Sequence, residues 1–170
     1  MFTYTVESYI RHLTNLENIL TKAKAWQAAN NLKDEAICNA HLAIDQLPLK
    51  KQIQMACDFA KKSGALLSGS VAPVNEDNEV TLDELMARIA STIKFLTSLY
   101  SCEIATELDK KLVPLPWIPG KAITAKYYIE DYALPQFYFH YVTAYSILRN
   151  FGLPLGKADF LGSVDILDMK

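Results

Sequence analysis

A chain of 170 residues with 51% apolar and 21% charged side chains is long enough to bury about two-thirds of its unfolded surface around one core, and too apolar to stay disordered. Its net charge of −2, with Lys and Arg scattered along the chain, excludes the massed basic surface that nucleic acid requires. No stretch is long and apolar enough to span a bilayer, and the start "MFTYTVESYI" lacks the basic flank and apolar run of a secretory signal. One cytoplasmic domain over 1–170 is therefore expected, with a small molecule or a second copy of itself as partner and no membrane or nucleic acid.

Over about 5–28, Tyr9, Leu13, Leu16, Leu20 and Ala23 recur at steps of three and four, with Ile10 and Ile19 widening the stripe, which predicts an amphipathic helix. After the polar "AANNLKDE" a short helical piece is expected around 35–43. "QLPLKK" then opens a second long helix, with Pro48 tolerated in its first turn. This helix should run to about Leu67 with Leu49, Ile53, Ala56, Phe59 and Ala60 facing inward and Gln52 at the edge of that stripe.

The linker "VAPVNEDNEV" carries Glu76, Asp77 and Glu79 without the ligand spacing of a calcium loop. Thr81-Leu82-Asp83-Glu84 is a capping box: the hydroxyl accepts from the amide three residues on, and the glutamate reaches back. It starts a third helix that should last to about Tyr100, burying Leu82, Leu85, Ile89, Ile93 and Leu96. From 101 to 134 the helical period is lost. Pro114, Pro116, Pro119 and Gly120 exclude a long helix, while "KLVPLPW" and "AITAKYYI" predict a short irregular hairpin around the Pro-Gly turn.

The last long helix is expected to open at Pro135 and to close near Phe151, where Gly152 supplies a left-handed cap and Pro154 prevents continuation. Phe137, Ala144, Leu148 and Phe151 share one face with Tyr141 beside them, and Tyr138, Val142 and Tyr145 make the rest apolar. The most buried helix of the molecule is expected here. Four such segments pack most simply as an all-α four-helix bundle, with the hairpin as an excursion before the last helix.

Within "QFYFHYVTAY", His140 lies on the inward side of that helix with Phe137 and Ala144. A buried imidazole needs a hydrogen-bond partner, and the expected one is Gln52 or a tyrosine hydroxyl. The sharper alternative is a divalent metal, zinc, nickel or iron, with His140 as one of about three protein ligands. No second histidine stands three or four residues from His140, His12 or His41, so Asp45 or Asp58 would have to complete such a site. Cys38, Cys57 and Cys102 are odd in number, widely spaced and free of CxxC pairing, so each reads as a small buried apolar group. Cys57 is the one that could approach His140 across the bundle. The glycines form no phosphate-cradling loop, and in the tail "GKADFLG" Phe160 and Leu161 are expected to dock while Lys157 stays solvated.

Three stretches, "NAHLAIDQLPLKKQIQMACDFAKK", "EDNEVTLDEL" and above all "LPQFYFHYVTAYSILRNFGLPLGKADFLG", resemble an uncharacterised domain-of-unknown-function family grouped with the DinB-like, YfiT-type four-helix bundles. The resemblance covers nearly the whole chain. It implies a DinB-like bundle, often a homodimer, in a superfamily whose better-known members are metal-dependent thiol transferases and isomerases. Those members hold a divalent metal with one histidine of the second helix and two, spaced by four, on the last long helix. Here only His140 matches; Gln52 or Gln54 stands for the first histidine, and Gln136 and Ala144 stand four residues to either side of His140. The candidate site is therefore a small-molecule pocket around His140, Gln52, Tyr138, Tyr141 and Tyr145, in which His140 would be a metal ligand (zinc or nickel) or a general base. A non-catalytic dimeric bundle with a structural histidine is the alternative.

Overall fold

In the computed structural model, which describes residues 2–115, 117–164, 166, 167 and 169, helix α1 (Phe2–Ala29) is followed by a short α2 (Asp34–Cys38) and the long α3 (Leu49–Ser68). Helix α4 (Leu82–Ser98) then leads through a single 3-10 turn into a two-stranded hairpin, β1 (Leu112–Pro114) and β2 (Ala122–Thr124). A one-turn α5 (Ala125–Tyr127), a π-helical stretch (Tyr128–Ala133), α6 (Leu134–Asn150) and a short α7 (Lys157–Leu161) complete the chain. The four long helices form a bundle in the spatial order α1–α4–α3–α6, with α3 against both α4 and α6 and α1 against both α4 and α6.

The stripe read from spacing on α1 is the one buried: Tyr9, Leu13, Leu16, Leu20 and Ala23 are all within the core. The capping box forms as expected, with Thr81 Oγ1 accepting from the Glu84 amide and Glu84 accepting from the Thr81 amide. Asp34 adds a second acceptor at this helix start, for the amide of Leu82. At the far end of α6, Gly152 takes a φ of +110°, and the Leu153 amide closes on the Leu148 carbonyl, the six-to-one bond of a left-handed cap.

Four expectations are corrected. The short second helix stops at Cys38 instead of near 43, because Asn39 leaves the helical region at φ −97°, ψ 1°, as a side chain that competes for backbone bonds favours. The most buried helix is α3 rather than α6: thirteen of its twenty residues are buried against seven of seventeen. Helix α3 packs on all three other long helices and on the π stretch, whereas Phe139 and Val142 of α6 face out. Cys102 is exposed, just past the 3-10 turn, while Cys38 and Cys57 are buried.

The fourth correction concerns the second arm of the hairpin: α6 opens at Leu134, beside the expected Pro135, but the chain is already helical from Ala125. The hairpin pairs Leu112 with Thr124, Val113 with Ile123 and Pro114 with Ala122, so "AIT" is strand but "AKYYI" is already helical. Pro135 has no amide hydrogen and its ring crowds the preceding turn. The chain passes it by widening that turn into π geometry over Tyr128–Ala133, the kind of local slip found where a regular helix cannot close. Pro116, expected in the first arm of the hairpin, lies outside the described residues.

Candidate functional site

Gln52 and His140 meet across the α3–α6 seam. The Gln52 amide nitrogen donates to the Leu47 carbonyl at 2.8 Å, which turns its oxygen toward the imidazole, 2.7 Å from His140 Nδ1. An amide oxygen only accepts, so Nδ1 carries the hydrogen. Nε2 is then left with a free lone pair, and among the described residues it has no hydrogen-bond partner. Burial pushes the His140 pKa down to about 4, so the ring is neutral at physiological pH. Phe59 stacks on it at 5.8 Å with 12° between planes, and Phe139 meets it edge-on at 5.2 Å.

The other three expected pocket residues lie elsewhere on the same helix. Tyr138 shares a 2.7 Å hydrogen bond with Ser8 and packs on His12. The Tyr141 hydroxyl donates to the Phe160 carbonyl at 2.6 Å, and Tyr145 packs against the Phe160 ring. These tyrosines face α1 and the tail, while His140 faces α3. The tail docks as expected through Phe160, held further by Asn15 donating to the carbonyls of Phe160 and Leu161; the Leu161 side chain is exposed and Lys157 is solvated.

Asp45 is exposed on the loop before α3, and Asp58 belongs to a different cluster, so neither carboxylate joins His140. Cys57 is sealed in the core, where burial pushes its thiol up to about 11, which removes the thiolate that reactivity requires. Among the described residues no group of three or more His, Cys, Asp or Glu side chains converges. The donors around His140, one imidazole nitrogen and an amide oxygen already accepting, do not make the set of about three ligands that a divalent metal takes.

Two features were not foreseen. The first is a charge cluster. Arg88, on the buried face of α4, donates to Asp58 at 2.7 Å, to Asp77 at 2.5 Å and to Glu79 at 2.9 Å. Lys61, also buried, binds Asp58 at 2.9 Å and reaches the carbonyl of Pro73 and the side chain of Asn75. The acidic linker is thus strapped to α3 and α4 by two buried cations. The spacing carried a signal for this, since position 88 falls three after Leu85 and four before Thr92, on the stripe that α4 buries.

The second is an aromatic recess of about 360 Å3. Helix α3 supplies Met55, Phe59 and Lys62, the hairpin turn supplies Trp117, and the π stretch supplies Tyr128 and Tyr132. Tyr132 is the hub: it stacks on Trp117 at 5.5 Å and touches the rings of Phe59 and Tyr128 at 5.8 and 5.6 Å. The i→i+5 bonding of the π stretch widens the turn and leaves Tyr128 and Tyr132 on the same wall. No local pattern announces this site, because Trp117 and Phe59 are brought together only by the folding-back of the hairpin.

Four long helices closed into a ring, with a hairpin excursion before the last of them, define a DinB-like bundle. Within that class the chain belongs to the family described as Domain of unknown function (DUF1993), whose model matches residues 1–161. It is similar to a solved DinB family member protein from Shewanella denitrificans, with 34% identity and a TM-score of 0.86 over 99% of this chain and 95% of that chain. No curated protein matches. Among the described residues, no helix is long and apolar enough to cross a membrane.

Proposed function

We propose that this protein binds a small molecule in the aromatic recess between α3, the hairpin turn and the π stretch, with the His140–Gln52 pair set behind its wall. The observation that carries this reading is Phe59, which stacks on His140 and also lines the recess. A concave site of a few hundred Å3, walled by rings with few polar groups, is the usual form of a small-molecule site. His140 enters as a neutral acceptor whose tautomer is held by Gln52. The reading is one of binding, and no step is assigned to a metal because the donor set around His140 does not fit one.

Amide and aromatic NMR spectra, recorded while a library of small aromatic compounds is added, test it. Shifts gathered at Met55, Phe59, Trp117 and Tyr132 and abolished by Trp117→Ala are the expected result. Shifts spread over the surface, or none, would leave the recess as a packing irregularity of the hairpin.

A further inference from the structure

We infer that the ligand of this recess is a planar aromatic anion, such as an aryl carboxylate; the inference rests on the recess being the binding site proposed above. The walls are flat rings, which select a flat apolar body by offset or edge-on stacking. Charge decides the rest, and two charged residues line the recess, Asp58 and Lys62. Asp58 is already compensated, since its Oδ1 accepts from both Arg88 and Lys61. Lys62 has no carboxylate partner among the described residues; its ammonium lies 4.9 Å from the Tyr128 ring centre.

Among the described residues that line the recess, the charge left without an oppositely charged partner is therefore positive. It is carried on a long exposed stem that swings off the Tyr128 face when a stronger partner arrives, since a cation–π contact at an exposed site contributes only about 0.5–1 kcal/mol. A carboxylate presented by a ring seated in the recess against these aromatic walls is such a partner. Asp131 lines a separate recess, with Tyr132, Gln136 and Phe139.

Three probes of one shape separate the possibilities: 1-naphthoate, 1-naphthamide and 1-naphthylmethylammonium, titrated by calorimetry into the wild type, Lys62→Gln and Trp117→Ala. Naphthoate should bind the wild type about tenfold more tightly than naphthamide, the gain of one charge-assisted hydrogen bond. Lys62→Gln should level the two, and Trp117→Ala should weaken all three. Equal binding of the three probes, or preference for the ammonium, would overturn the anion assignment while leaving the recess as a binding site. Failure of all three to bind, or binding indifferent to Trp117→Ala, would remove the recess reading and the assignment with it.

Discussion

Asp58 Oδ1 accepts from the buried Arg88 guanidinium at 2.7 Å, so a carboxylate on the edge of the aromatic recess is also the anchor of a charge buried between α3 and α4. Burial opposes the arginine's charge, but the carboxylates of Glu79, Asp58 and Asp77 outweigh it and raise its pKa.

Replacing the cation exposes what it holds. Arg88→Met should destabilise the fold by about 2–4 kcal/mol, since it strands the carboxylates that faced a buried partner. Asp58 and Asp77 are partly solvated and soften the loss. Urea unfolding measures the change, and hydrogen exchange should rise in the linker around Asn75 and Glu79, which Arg88 and Lys61 strap down.

Acid should act in two phases. Between pH 6.5 and about 4 the unfolded histidine binds a proton that native His140 refuses, because burial lowers its pKa to about 4. Stability therefore falls as pH drops through this window, by up to about 3 kcal/mol, and the His140 contribution is flat below it. Burial alone would raise Glu79, but hydrogen bonds from Arg88 and Gln54, with backbone help, hold it below 4.5 on balance. Its contribution is present above the ordinary glutamate range and is lost as pH falls through the lower native value. Chemical denaturation across pH should show the first phase missing in His140→Leu and the second reduced in Glu79→Gln.

The His140–Gln52 bond can be isolated by pairing substitutions. His140→Leu, of similar volume, orphans the Gln52 oxygen at 1% residue exposure and should cost about 1–3 kcal/mol. In the double variant with Gln52→Leu, no buried oxygen is left in place, and the Leu47 carbonyl it abandons sits on an exposed residue. Recovery of a good part of the loss is expected in thermal unfolding; no recovery would mean that shape, not hydrogen bonding, dominates at this seam.

In Gln52→Glu, a carboxylate replaces the amide oxygen 2.7 Å from Nδ1 and favours the imidazolium. The His140 titration followed by NMR should move up from about 4, as an opposite charge at that distance requires.

The tail clasp depends on Gly162. It sits at φ +70°, and a Cβ there would lie 2.1 Å from Asn15 Oδ1. Gly162→Ala should break the Asn15 bonds to the Phe160 and Leu161 carbonyls and cost about 1–3 kcal/mol. Loss of the Tyr141–Phe160 stacking shifts in aromatic NMR is the direct readout.

Much of the frame is legible in the sequence. The burial of Tyr9 through Ala23 on α1, the Thr81–Glu84 box and the Gly152 cap are set by residues within a few positions of one another. Periodicity and capping report such local geometry, because a helix repeats on the scale of its own turns. The inward placement of His140 belongs here too, since it follows from spacing within α6.

Partners separated along the chain were decided by packing. His140 meets Gln52 across 88 positions and Arg88 meets Asp58 across 30, and no spacing rule ties such pairs together. Tyr138, Tyr141 and Tyr145 share a helix with His140 but turn to α1 and the tail, because residues on different faces of a helix pack against different neighbours. The aromatic recess arises because Pro135 forces a wider turn and the hairpin carries Trp117 back over Tyr132. Local spacing thus set the four long helices and the faces they turn inward, while packing chose which side chains share a site, because those contacts join segments that local pattern treats as independent.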